Sequence, residues 1–188
     1  IGGSQPLDVP YRFASAGLLV RRRIGWLLFL FLAGLLTSQV LEHYKDRLDG
    51  APALIPYIPL IIGIGGNVGS QTVTTLVRAI GVGEVRLSDV GWVLAKEMAV
   101  GLSVGLIMGI VGYLRVGVPE GFQIGIVVGA TIALVALWSA TVAAILPLVF
   151  ERLGVDPAVV SAPVITTLVD ATGLLIYMTI AGWVLLQL

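Results

Sequence analysis

Five long apolar segments constrain this chain more than any other feature of its sequence. A helix needs roughly 20 apolar residues to cross a bilayer core about 30 Å thick. The segments cover about residues 24–41, 51–80, 90–113, 122–150 and 158–188. Strands of a membrane barrel would alternate apolar and polar residues over about ten positions, and these segments do not. The sequence therefore predicts an all-α, polytopic membrane protein with five transmembrane helices.

The overall composition agrees with this class and excludes others. Only 12% of the 188 residues are charged, whereas a soluble domain carries roughly 25%. The 11 basic residues balance the 11 acidic ones, so no basic excess indicates a nucleic-acid partner. Cysteine is absent, which excludes disulfide frameworks, thiolate metal sites and cysteine nucleophiles.

The distribution of basic residues predicts the orientation in the membrane. Cytoplasmic loops are enriched in Lys and Arg. With a cytoplasmic N-terminus, the outside loops hold only Lys45, Arg47 and Arg115, and the other eight of the 11 basic residues lie inside. We therefore predict a multi-pass cell-membrane protein with its N-terminus in the cytoplasm and its C-terminus outside. The chain starts at Ile1 rather than Met, and we expect it to be a fragment of a longer protein.

Asp170 is the most informative polar residue within an apolar segment. It lies thirteen positions beyond Pro157, about 20 Å along an ideal helix. An Asp at a helix centre costs about 2.5–3.5 kcal/mol on insertion scales, and such residues usually face a cavity or pathway. Its helical neighbours form a largely small and polar stripe of Pro163, Thr166, Thr167, Gly173 and Tyr177. The alternative is that Asp170 is protonated, or pairs with a polar group on another helix, and only locks the packing.

A glycine-dense polar stretch interrupts the second apolar segment. Asn67 and Gln71 are four residues apart, so their side chains share one helical face. Thr74, Thr75 and Arg78 continue that face. Asn67 and Gln71 either line or support a pathway, or they join helices by hydrogen bonds across ordinary small-residue packing. The glycines at 101, 105 and 109, and those at 125 and 129, repeat every four residues and predict helix–helix contact faces.

Glu97 lies about one turn inside the third segment, next to Lys96. Adjacent residues on a helix point in different directions, so the two charges do not neutralise each other well. Glu97 either helps to recruit cations at the cytoplasmic mouth of a pathway or is a solvated charge at the membrane interface.

Several motifs resemble the membrane domain of the MgtE magnesium channels. The resemblance covers nearly all of residues 18–188, and it is carried by Arg21-Arg22-Arg23-Ile24-Gly25-Trp26-Leu27, residues 59–71 with Gly65-Gly66-Asn67 at their centre, Arg78, Pro147, Gly154-Val155-Asp156-Pro157-Ala158, Ser161-Ala162-Pro163 and Thr166-Thr167-Leu168-Val169-Asp170. It implies a five-helix subunit, a homodimer, and a pore between the two copies. It also implies that Asp170 is the metal-binding pore residue. Cytosolic regulatory domains N-terminal to this fragment are further implied partners.

These observations together predict a divalent cation channel. We divide the chain into a cytoplasmic or interfacial lead-in, residues 1–23, and a five-helix ion-conducting domain in membrane lipid, residues 24–188. Hydrated Mg²⁺ would pass through the dimeric pore as the transported ion rather than as a cofactor. Asp170 would bind it, and the pore-lining or supporting residues would be Thr166, Thr167, Asn67, Gln71, Gly173 and Glu97.

Three other functions compete with the channel. A secondary active divalent-cation transporter, coupled to protons or sodium, would use the same intramembrane aspartate. A membrane aspartyl protease would need two catalytic carboxylates, and only Asp170 lies deep in a segment, so we predict that the chain is not an enzyme. A non-transporting membrane anchor would leave the polar stripe around Asp170 without a purpose.

Overall fold

The computed structural model describes residues 9–154, 156 and 162–185, which are helical with short connections and contain no strand. The helices are α1 (Ala16–His43), α2 (Lys45–Gly50), α3 (Ile58–Gly81), α4 (Val90–Glu120), α5 (Phe122–Arg152) and α6 (Ala162–Leu185), with short 3₁₀ turns at Tyr11–Phe13, Pro52–Tyr57 and Leu87–Asp89. Five of the described helices, all except α2, are long and apolar enough to cross a membrane. The predicted fold class is confirmed.

The helix ends differ from the limits of the apolar segments because local capping sets them. Ser15 accepts a hydrogen bond from the Leu18 amide at 3.3 Å, so α1 begins at Ala16 and includes the three arginines assigned to the lead-in. Pro59 lies in the first turn of α3, where a missing amide hydrogen costs nothing. The residues before it form the separate 3₁₀ turn Pro52–Tyr57.

The connection between α4 and α5 is a single glycine. Gly121 has a φ of 95°, a conformation that is readily available only to glycine. It lets α4 continue to Glu120, beyond the predicted limit near residue 113, and lets α5 begin at Phe122. The start of the fifth predicted segment, from 158 to 161, its last residues, 186–188, and the motif residues Pro157 and Ser161 lie outside the described residues.

Helix α5 is the centre of the bundle, since α3, α4 and α6 all pack against it. Glycines bring α4 very close to α5. A Cβ atom placed on Gly105 would lie 2.6 Å from the carbonyl oxygen of Ala133, and one placed on Gly109 would lie 2.6 Å from that of Gly129. The predicted glycine contact faces are therefore confirmed. The other side of α4 exposes large apolar side chains, such as Leu106, Ile107 and Ile110.

Helix α3 is held between α5 and α6. A Cβ on Gly65 would lie 2.6 Å from Val169 Cγ1 and 2.7 Å from Val135 Cγ1. The buried Ser139 hydroxyl of α5 donates a hydrogen bond to the carbonyl oxygen of Gly65 at 2.6 Å. Two sides of α3 are therefore covered by helices of the same chain. A third side stays uncovered.

Helix α1 lies at the edge of the bundle, where it packs against α6, and none of its residues is buried. The 3₁₀ turn Pro52–Tyr57 lies against the C-terminal half of α6. There the fully buried Tyr177 donates a hydrogen bond from its hydroxyl to the Leu54 carbonyl at 3.0 Å. This contact lies at one end of the packing of α3 on α6. We call the open edge of that packing, which carries Thr166 and Asp170 on α6, the groove.

Candidate cation site on an uncovered polar face

The uncovered side of α3 carries its polar residues. Asn67, Gln71, Thr74 and Arg78 are exposed and follow one another at spacings of three or four residues, so they form one stripe. Within the described ranges, neither the Asn67 nor the Gln71 side-chain amide has a hydrogen bond. Polar side chains in a membrane face a protein partner or water rather than lipid. This stripe therefore requires something outside the single chain.

Asp170 lies on α6, in the groove between α3 and α6. It is half-buried, and it lies eight residues after Ala162, about 12 Å along the helix. In the part of the chain that the structure describes, its carboxylate has no hydrogen bond and no ion pair. The alternative in which Asp170 locks the packing through another helix of this chain therefore has no partner among those residues.

Thr166 and Thr167 lie one turn before Asp170 on α6 and are half-buried. Their hydroxyls donate to the same carbonyl oxygen, that of Pro163, at 2.9 and 2.8 Å. Each hydroxyl donates its hydrogen there and keeps its lone pairs, so its oxygen can still accept a hydrogen bond from a water molecule. Thr166 also contacts α3, since a Cβ on Gly66 would lie 3.0 Å from its Cγ2.

The packing of α3 on α6 sets the register between their polar residues. Gly66 faces Thr166, and Gly65 faces Val169, so the two helices run antiparallel. One turn further along, Gly63 of α3 is level with Asp170 of α6. Val135, which also touches Gly65, lies about half way along the 31 residues of α5. Asp170 is therefore near the middle of the membrane-spanning bundle.

The polar stripe predicted for α6 does not stay open along its whole length. Gly173 is buried, and a Cβ there would lie 3.4 Å from Val135 Cγ1. Tyr177 is buried under the turn Pro52–Tyr57. In this chain Gly173 therefore supports the packing of α6 on α5 and does not face the groove.

Glu97 belongs to a different region from Asp170. It is half-buried, and its Oε2 accepts a hydrogen bond from the Thr72 hydroxyl at 3.3 Å. Thr72 lies nine residues beyond Gly63 on α3, about 13 Å along the helix. Glu97 and Glu84 line a cavity of about 250 Å³ between the end of α3 and the start of α4. Lys96 and Trp92 line the same cavity, where the Lys96 Nζ lies 4.9 Å from the centre of the Trp92 ring.

The described part of the chain offers one carboxylate, that of Asp170, in the groove. Within the described ranges, no three Asp, Glu or His side chains come together as a metal site. A single carboxylate with hydroxyl and amide oxygens nearby suits a hard cation that keeps most of its water. Sequence reasoning missed Ser139, which fixes α3 at the level of this site. The available signal was a lone serine among the apolar residues of α5.

Comparison with known proteins places the chain in a family. The MgtE family, described as a divalent cation transporter, matches residues 58–180. The chain is 39% identical over 184 residues to the magnesium transporter MgtE of Thermus thermophilus, covering 96% of this chain and 40% of that protein. It is 34% identical over 166 residues to the magnesium transporter MgtE of Enterococcus faecalis, covering 86% of this chain and 36% of that protein.

The matched region contains α3, α4, α5 and the part of α6 that carries Asp170. A magnesium transporter MgtE from Bacillus subtilis is 29% identical over 161 residues, which are 85% of this chain and 36% of that protein. The chain thus spans about two fifths of the length of the curated relatives that it matches. This chain belongs to the MgtE family of divalent cation transporters.

Proposed function

We propose that the chain forms a homodimer that conducts hydrated Mg²⁺ passively between its two copies, with Asp170 of each copy holding the ion. The observation that carries this proposal is the half-buried Asp170 carboxylate, which has no partner among the described residues and lies beside the uncovered polar face of α3. The names of the relatives, magnesium transporters, support the choice of ion.

Symmetry supplies the charge that one chain lacks. A two-fold axis brings two copies of every residue at the interface together. Two Asp170 carboxylates then match the charge of one divalent cation without surplus. Mg²⁺ sheds water reluctantly and usually keeps several waters while it contacts one or two carboxylates. The oxygens of Thr166 and Thr167, one turn away, would accept hydrogen bonds from those waters.

The two sides of the bundle suit different surroundings. The apolar outer face of α4, which exposes Leu106 and Ile107, suits lipid. The polar stripe of α3, with Asn67 and Gln71, suits a second copy and a wet path between the copies. Glu97, at the other end of α3, would raise the local cation concentration at the cytoplasmic mouth. Cytosolic regulatory domains N-terminal to this region remain a prediction.

The proposal is tested by neutralising Asp170. We expect Asp170→Asn to reduce Mg²⁺ uptake into proteoliposomes to the level of empty vesicles, because the side chain keeps its size but loses its charge. Asp49→Asn, an exposed position in α2, is the matched control and should leave uptake unchanged. Wild-type uptake by Asp170→Asn would remove this residue from the pathway.

The same vesicles separate passive conduction from coupled transport. We expect Mg²⁺ to enter down its own gradient when no proton or sodium gradient is present, as in a channel. Uptake that stops when these gradients are collapsed would instead establish the alternative, a secondary active transporter that uses the same aspartate.

A further inference from the structure

Gly63 differs from the other glycines in the middle of α3. A Cβ atom on Gly65 or Gly66 would meet an atom of another helix at 2.6 or 3.0 Å, and one on Gly69 would clash with Ile165. These three glycines are therefore needed for the packing of the chain itself. At Gly63, by contrast, a Cβ would meet no heavy atom of the described residues within 4 Å.

The helix itself gives no reason for a glycine at this position. Gly63 lies inside α3 and does not have a positive φ. A glycine in a helix interior costs about 1 kcal/mol relative to alanine. Neither the backbone conformation nor contacts within the described chain offset this cost. Within the described residues, the chain therefore leaves this position open to whatever lies beside it outside the chain.

The open position at Gly63 lies at the level of the candidate cation site. Gly63 is exposed and lies one turn before Asn67 on the polar stripe. The contacts of Gly65 with Val169 and of Gly66 with Thr166 place it level with Asp170. No described side chain, including that of Asp170, comes within 4 Å of a Cβ at Gly63. The open position therefore lies at the level of Asp170, on the polar stripe that also carries Asn67.

We propose that Gly63 determines which cations pass Asp170 by leaving room for the water shell of the ion. This inference rests on the proposed function and adds a specificity-determining residue to it. Mg²⁺ keeps its inner waters, so its effective size at the site is that of the hydrated ion. Two copies of Gly63, one on each side of the two-fold axis, would widen the path at the level where the carboxylates narrow it.

Substitutions of graded volume at Gly63 test this role. We expect Gly63→Ala to lower Mg²⁺ uptake into proteoliposomes severalfold and Gly63→Val to abolish it. The matched controls are Gly34→Ala and Gly34→Val. Gly34 lies inside α1, and a Cβ there also meets no described atom within 4 Å. These controls should transport like the wild type. All four variants should fold, because a Cβ at Gly63 or Gly34 meets no described heavy atom within 4 Å.

Two further measurements make the outcomes distinct. Dimer formation of each variant is followed by cross-linking of a cysteine at position 71, and it should not change. Loss of the dimer in Gly63→Val would show that Gly63 makes room for the partner helix, and this would overturn the inference. Wild-type uptake by both Gly63 variants, with Asp170→Asn inactive, would overturn it while the proposed function stands. Wild-type uptake by Asp170→Asn would defeat the proposed function itself.

Discussion

At the scale of single residues, the polar side chains fall into two sets. Some are buried and hydrogen-bonded to the backbone, and others have no hydrogen-bond partner among the described residues. The buried hydroxyls of Thr131, Ser139 and Tyr177 each donate to a backbone carbonyl, at 2.6, 2.6 and 3.0 Å. Asp170 and Asn67, in contrast, have no hydrogen-bond partner among the described residues. Because an unpaired polar group in lipid costs several kcal/mol, the second set is placed where water, an ion or a second chain reaches it.

The bond between Ser139 and Gly65 gives a prediction at this scale. Interhelical hydrogen bonds in membrane proteins contribute about 0.6 kcal/mol on average and up to about 1.7 kcal/mol. We expect Ser139→Ala to lower the free energy of unfolding by an amount in this range, measured by thermal denaturation in detergent. Ser103→Ala is the control, because Ser103 donates to Ala99 of its own helix at 2.7 Å. Equal destabilisation by both variants would contradict a special role for the Ser139 bond.

At the scale of elements, the backbone contact between α4 and α5 shows how small residues replace side-chain interdigitation. Gly105 and Gly109 lie against backbone oxygens of α5, so neither helix has a flexible side chain there that could move aside. Overpacking in such a place typically costs 1–3 kcal/mol. The contact fixes α4 at the side of the bundle away from Asp170.

The closeness of these helices gives a second stability prediction. We expect Gly109→Ala to lower the free energy of unfolding by about 1–3 kcal/mol, because its Cβ would lie 2.6 Å from the Gly129 carbonyl oxygen. Gly91→Ala, in the first turn of α4, meets no described atom within 4 Å. It should leave stability unchanged or raise it by about 0.4–1 kcal/mol. A melting temperature of Gly109→Ala equal to that of the wild type would show that α4 and α5 separate without cost.

At the scale of the whole molecule, the bundle has an apolar side and a polar side. The apolar side is the outer face of α4, and the polar side is the groove between α3 and α6 with the stripe from Asn67 to Arg78. In the proposed homodimer, a symmetric pair of chains that joins the polar sides would bury them together and leave the apolar sides in lipid. The same arrangement would bring two copies of Asp170 to one axis.

Cysteine cross-linking tests this arrangement without background, since the chain contains no cysteine. We expect Gln71→Cys to form a disulfide-linked dimer in membranes treated with a mild oxidant, because position 71 lies on the polar stripe. Ile107→Cys, at a position that is 64% exposed on α4, should stay monomeric on a non-reducing gel. The opposite result, with dimers at position 107 only, would place the interface on the apolar side.

The sequence alone determined the number of spans, their helical state and the depth of Asp170. Each of these properties depends on one segment and its own transfer into lipid, so a run of apolar residues and a position within it are enough. The motifs around Asn67 and Asp170 pointed to the MgtE family for the same reason, because they are local in the chain. Helix ends needed the additional detail of single caps, such as Ser15 and Pro59.

Only the tertiary structure decided which polar residues share an open surface. Gly173 and Tyr177 belong to the same sequence pattern as Asp170, but packing on α5 and the turn Pro52–Tyr57 cover them. The bond from Ser139 to Gly65 joins residues 74 positions apart. Gly63 is open because the face of α3 that packs on α5 and α6 is the one that carries Gly65 and Gly69. Hydropathy and spacing describe each helix by itself, whereas these features depend on how one helix is turned toward another.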